Sequence, residues 1–245
     1  MPMRFVRESD VVWETMIWRT VDFREQFNQF FYYPIEREGV DGRKNFAYML
    51  WDAICNDQIP IYSDDECKVP IDNQFFVKQM TKGDTLQLEI IDDDENYEYK
   101  TVIVPREFSS ETILQLYIKD VWYVEKQSTD QWVRTLSFAL VYNKIRTVGE
   151  ESIAMGMVPL FWVPMQSPSV RKLLARHEAY IEGNNAHNPS WLTLFDYRRY
   201  NGFVTRESNR YNRDIASYLI GEDALLESER IDDMLLNISS DMWEY

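Results

Sequence analysis

A chain of 245 residues with 26 Lys and Arg against 41 Asp and Glu carries a formal net charge of −15. Self-repulsion of that size favours solubility and argues against non-specific binding to nucleic acid or anionic membrane, so a protein partner should offer basic surface. No run of about 18 apolar residues occurs, which excludes a helical membrane span, while 15 Tyr, 13 Phe and 8 Trp supply unusual aromatic content for a core or an interface.

Taken in chain order, Ser9 or Asp10 can cap a helix whose apolar positions Trp13, Met16, Ile17 and Val21 recur at helical spacing. Within it Arg19 and Asp22 stand three apart, a spacing that pairs side chains on a helix surface. The helix should end near Asn28, before an extended FFYYP, because Pro34 biases Tyr33 away from helical angles. After the turn-rich EREGVDGRK, the spacing of Phe46, Met49, Leu50, Ala53 and Ile54 predicts a second helix over Asn45 to Asn56.

From Gln58 the period changes to two. Ile59, Ile61 and Tyr62 suggest a short strand, which Pro60 places at a sheet edge, and Gln74 to Met80 suggests another. DTLQLEI and YEYKTVIV flank DDDEN as a hairpin with an acidic turn. TILQLYI, QWVRTLSFALVYN and MVPLFWVP continue the strand series, and in the long one Leu136, Phe138, Leu140 and Tyr142 share a face.

Beyond Met165 helices return. Ser167 before Pro168 is an N-cap followed by proline in the first turn of SPSVRKLLARHE. SWLTLFDYRRY reads as a short helix closed near Asn201-Gly202, and FVTRES as a strand. The last helix has a seam of Ala224, Ser228, Ile231, Leu235, Ile238 and Met242, with alternating spacings of four and three. The sum is an α+β fold: N-terminal helices, a central antiparallel sheet with hairpins, and C-terminal helices ending in a long acidic amphipathic helix. A single domain over 1–245 is expected, with a weak seam near 165.

Little in the sequence points to catalysis. The turn Asp92-Asp93-Asp94-Glu95-Asn96 matches the first oxygen ligands of a calcium loop, but Tyr97 stands where the sharp turn needs Gly and Ile103 where it needs Glu. A solvated hairpin tip fits better. His177-Glu178, with Ser167 or Ser169, could form a hydrolytic pair, yet adjacent helical residues do not face each other. Cys55 and Cys67 allow a disulfide closing a short loop, worth roughly 3 kcal/mol. Glycine-rich phosphate loops, GxSxG, CxxC and HExxH are all missing, and no cofactor or metal is implied. From Glu222 onward the last helix carries eight acids (Glu222, Asp223, Glu227, Glu229, Asp232, Asp233, Asp241, Glu244) against the single Arg230. This is either a solvated back or an acidic strip for a basic partner.

Several stretches together resemble the gliding-motility protein family GldN, also called PorN. They are Trp13, Trp18-Arg19, Asp22, Arg24-Glu25, Asn28 and Tyr32-Tyr33-Pro34, then VWYVEKQS, LFWV and ARHEAY, and finally Asp223-Ala224-Leu225-Leu226 with Glu229-Arg230 and Trp243-Glu244. The resemblance spans nearly the whole chain. It implies a non-enzymatic, periplasmic component of the type IX secretion machinery at the inner face of the outer membrane. It also implies rings formed by self-association with a GldK/PorK-like lipoprotein, and contact with the periplasmic domain of a GldM/PorM-like motor protein. A leader peptide is expected of such a protein, and MPMRFVRESD carries no apolar h-region of one. Interface candidates are Trp18, Arg19, Asp22, Arg24, Tyr32, Tyr33, Glu222, Asp223, Glu227, Glu229, Asp232, Asp233 and Trp243. Two other readings remain: a glycan-binding module with an exposed aromatic row, for which LFWVP is the candidate, and a hydrolase using His177.

Overall fold

The computed structural model describes residues 6–82, 84–91, 97–104, 107–126, 131–148, 151–181, 188–211 and 213–241. Its centre is a seven-stranded antiparallel sheet of order β3-β2-β8-β7-β6-β1-β9, built from β1 (Val11–Asp22), β2 (Ile61–Tyr62), β3 (Pro70–Ile71), β6 (Ile113–Glu125), β7 (Gln131–Val148), β8 (Glu151–Pro164) and β9 (Phe203–Glu207). A separate hairpin pairs β4 (Asp84–Ile91) with β5 (Tyr97–Val104). The helices are α1 (Phe46–Cys55), α2 (Asn73–Met80), α3 (Pro168–Arg176), α4 (Trp191–Asp196) and α5 (Glu222–Asp241). The α+β class stands.

The N-terminal helix does not form. Val11 to Asp22 is β1, hydrogen-bonded to β6 on one side and β9 on the other. Six of its twelve residues are β-branched (Val11, Val12, Thr15, Ile17, Thr20, Val21) and lose rotamer freedom in a helix. Trp13, Ile17 and Val21 lie four apart, a spacing that is also even. They therefore share a strand face as well as a helix face, and only the partner strands decide between the two. FFYYP is not wholly extended either, since Gln26–Phe31 is a 3-10 turn.

Gln74 to Met80 forms helix α2 rather than a strand, with the Asp72 side chain accepting from the Gln74 N–H. Phe76, Val77 and Met80 then meet the core from one helical face, while Phe75 stays exposed. The short strand β2 lies one place in from the edge, which β3 occupies. In β7 the shared face holds for Phe138, Leu140 and Tyr142, which all pack in the core. Leu136 falls out of it, because the pairing with β6 slips between Lys119↔Ser137 and Asp120↔Thr135 and leaves Leu136 as the extra residue of a bulge.

The main core lies between the sheet and helices α1 to α4. Phe31, Phe46, Phe138, Trp191 and Phe195 form one aromatic cluster, with ring centroids 4.9–5.6 Å apart for the pairs Phe46–Trp191, Phe46–Phe138 and Phe31–Trp191. Asn45 places α1 there: it is fully buried, accepts from the Tyr48 N–H, and donates to the Tyr32 carbonyl and the Ser110 hydroxyl. A smaller core of Ile17, Val204, Ile215, Ile231 and Leu235 seats α5 against β1 and β9.

Helix α4 closes earlier than Asn201-Gly202. Arg199 N–H reaches the Leu194 carbonyl and Arg198 N–H the Phe195 carbonyl, a Schellman cap with Arg198 at φ 50° where glycine is usual. Gly202 serves close approach instead: an added Cβ would stand 3.0 Å from the Thr20 carbonyl oxygen of β1.

Trp191 is fully buried, and its indole N–H finds no hydrogen-bond partner. Trp191→Ala should therefore destabilise the protein by about 3–5 kcal/mol, as large aromatic truncations do. Trp191→Phe, which loses no hydrogen bond, should cost much less. Urea midpoints at unchanged m-value would check both.

Candidate interaction surface

Strand β1 carries the predicted site residues Trp18, Arg19 and Asp22, and its alternation sends them to opposite faces. On one face a cross-strand row runs Ser137 (β7), Lys119 (β6), Trp18 (β1) and Arg206 (β9), each opposite the next in register. The Arg206 guanidinium lies 3.6 Å from the Trp18 ring centroid and the Lys119 ammonium 5.0 Å from it. Both are cation–π contacts. Asp65, in the loop after β2, closes the row. Its Oδ2 accepts from Trp18 Nε1 at 2.8 Å, Lys119 Nζ at 3.1 Å and Arg206 Nη2 at 3.2 Å, and its backbone carbonyl accepts from the Ser137 hydroxyl at 2.7 Å. Burial raises the carboxyl pKa of Asp65, but these donors and cations outweigh it and hold the group below the ordinary value.

On the other face Arg19 is buried between Ile17 of the smaller core and Val21 of the larger. It pairs with Asp232 of α5 and donates to the Gly202 carbonyl at 3.3 Å. Its guanidinium also approaches Trp122 of β6, which Arg198 meets at 5.3 Å. Arg198 in turn is bound by the fully buried Asp120 at 2.7 Å, and the Thr135 hydroxyl donates to the other oxygen of Asp120. Each face of the sheet thus holds a tryptophan in contact with two cations that carboxylates neutralise.

The structure brings two predicted groups together, since Arg19 and Asp232 meet across 213 positions of sequence. The expected Arg19–Asp22 pair does not form, because residues three apart on a strand point to opposite faces. Asp22 instead accepts from the backbone and guanidinium of Arg24 and from Gln115. Those bonds, the Arg24 side chain first, lower its pKa to about 2. Tyr32 is half-buried against the exposed Tyr33, their rings 5.2 Å apart. On α5, Ala224, Ser228, Ile231 and Leu235 dock as the seam required. Glu222, Asp223, Glu229 and Asp233 face water, and Glu227 binds Arg230. Trp243, with Met242, and the acidic turn 92–96 lie outside the described residues.

Cys55 and Cys67 are free thiols, so the disulfide weighed for them is not formed. Of the LFWV stretch, Phe161, Trp162 and Val163 are buried, which removes it as an exposed aromatic platform. His177 caps the C-terminus of α3, its carbonyl accepting from the Trp191 N–H, while Glu178 is engaged by Arg43 at 3.1 Å. Sequence reasoning missed Asp65, Lys119, Arg206, Asp120 and Arg198. The only signal was the β-branched content of β1, which predicts cross-strand neighbours for Trp18 without naming them.

A comparison with curated proteins finds no match. The chain matches the family described as "Gliding motility associated protein GldN" over residues 6–244. It belongs to the GldN family. That places it among the components of the gliding-motility and type IX secretion machinery. GldN is a family of structural motility components rather than a known enzyme family.

Removing the Asp65 carboxylate strands a lysine that is 4% exposed. Asp65→Ala should cost about 2–4 kcal/mol, toward the lower end for broken buried pairs because Asp65 is itself partly exposed. A loss in urea stability within 0.5 kcal/mol would contradict that, on the scale of an ordinary surface substitution at about that size. Asp22 has a depressed folded-state pKa, so its stabilisation is complete above the unfolded value of 3.8 and drains away as pH falls through about 2. The expected loss is about 1–2 kcal/mol after allowing for the exposure of Arg24. Asp22→Asn should flatten the stability profile over that window, read by denaturant melts at each pH.

Proposed function

We propose that this chain acts as one non-enzymatic module of a periplasmic ring at the inner face of the outer membrane. It assembles with copies of itself and a GldK/PorK-like lipoprotein, and contacts the periplasmic domain of a GldM/PorM-like motor protein. One observation carries the reading beyond family membership. Helix α5 is docked by its seam, yet it leaves Leu225, Leu226 and Leu236 at 59%, 55% and 66% exposure among its free carboxylates. A helix meeting only water has no use for three such leucines in one element, whereas apolar side chains within a charged rim suit a protein partner. The overall charge of −15 asks that partner for basic surface. No helix among the described residues is long and apolar enough to cross a membrane, in keeping with attachment through a lipid-anchored partner.

Size-exclusion chromatography with light scattering, alone and with the lipoprotein and the motor's periplasmic domain, tests this. Higher-order complexes with the lipoprotein are expected. A monomer that ignores both at micromolar concentration overturns the reading. Binding should weaken between low and high salt as charges on α5 are screened over about 8 Å at physiological ionic strength; affinity unchanged across that range would assign the acids to hydration alone.

A further inference from the structure

On the face of the sheet that carries Trp18, the next row of residues builds a groove. Trp162 (β8) stands opposite Ala139 (β7), Ala139 opposite Tyr117 (β6), Tyr117 opposite Thr20 (β1), and Thr20 opposite Phe203 (β9). Aromatic and small side chains alternate along this row, so the small positions leave depth between the rings. Trp162, Tyr117, Thr20 and Phe203 line a cavity of about 570 Å³. Four steps between strands at about 4.8 Å make the row about 19 Å long, the span of roughly six residues of extended chain. One wall is aliphatic, formed by Ile215 and Ala216 before α5 and by Ala224 and Leu225 within it. Phe203 and Leu225 are open to solvent at 39% and 59%.

The charges of the groove favour one kind of occupant. Its cation, Arg206, is already engaged by Asp65, and the Arg19 side chain turns to the opposite face, where Asp232 holds it. Acids mark both ends. Asp64 follows β2 beside Trp162, its carboxylate accepting from the Lys68 and Val69 N–H groups. Asp214 stands at the β9 end, 3.7 Å from Arg206 and 64% exposed at its side chain. Burial, and then the charge of Asp214, raises the Tyr117 hydroxyl pKa, so it remains a hydrogen-bond donor at neutral pH.

We propose that this groove binds an extended segment of a partner protein, about six residues long, with apolar side chains set between Tyr117 and Phe203 and a lysine or arginine at Asp214. The inference rests on the ring reading for the source of the partner. The aliphatic wall separates it from a sugar platform, whose rings would need aromatic faces and polar walls.

Isothermal titration of the full chain tests it with three probes: a capped hexapeptide alternating leucine with lysine, its counterpart with glutamate, and chitotriose. Two exposed positions supply variants that should fold normally, Asp214→Lys and the groove-filling Ala216→Trp. The basic peptide should bind, lose affinity at high salt, and bind each variant at least about tenfold more weakly. The acidic peptide should not bind. Equal affinity of the variants, no binding of the basic peptide at millimolar concentration, or chitotriose binding that Ala216→Trp abolishes would each overturn the proposal. Both variants are also run with the lipoprotein and the motor domain. If the wild type assembles and both variants match it, the groove is rejected while the ring reading stands. If the wild type fails to assemble, the ring reading itself is lost, whatever the peptides do.

Discussion

One carboxylate holds the Trp18 face of the sheet in order. Asp65 lies in the loop that follows β2, yet it reaches across to β7, β6, β1 and β9 by contacting Ser137, Lys119, Trp18 and Arg206. Without it, a buried ammonium and a partly buried guanidinium would stand against one indole ring with only Asp214, 3.7 Å from Arg206, to balance their repulsion. With it, the cations gain both an ion pair and a π face, and the loop is fastened over a strand far from it in sequence. Cation–π contacts of this kind strengthen as water is excluded, and Lys119 is almost wholly excluded from it.

The same strand settles how the two ends of the chain meet. β1 is hydrogen-bonded on both sides, so neither of its faces can turn away from what lies above it. Trp18 and Thr20 belong to the face that Asp65 and the groove occupy. Ile17, Arg19 and Val21 belong to the other, where Arg19 anchors α5 through Asp232. A charge pair at that point also fixes how far α5 can slide, because Ile231 and Leu235 on either side of Asp232 fill the small core. The seam, the ion pair and the Ser228 hydroxyl accepting from the Val204 N–H together leave Leu225, Leu226 and Leu236 of α5 outward. An outward apolar strip on a helix docked this way suits the partner surface proposed for α5.

The sequence by itself determined the α+β class, the hairpin series, the place of α1, and the docking seam of α5. These follow from local periodicity and capping chemistry, which act within a few residues and need no partner. It also carried the family, because Trp18-Arg19, Tyr32-Tyr33-Pro34 and the Asp223–Leu226 stretch are read as strings. Tertiary structure alone decided the state of Val11 to Asp22. Apolar residues four apart fit one helix face and one strand face equally, and the choice fell to the hydrogen bonds offered by β6 and β9. It likewise turned Gln74 to Met80 into a helix, through an Asp72 cap and a core that needed Phe76, Val77 and Met80 on one side. The partners of Trp18 and Arg19 were beyond sequence for the same reason: Asp65, Arg206 and Asp232 lie tens to hundreds of positions away, and only strand register brings such distant charges into contact.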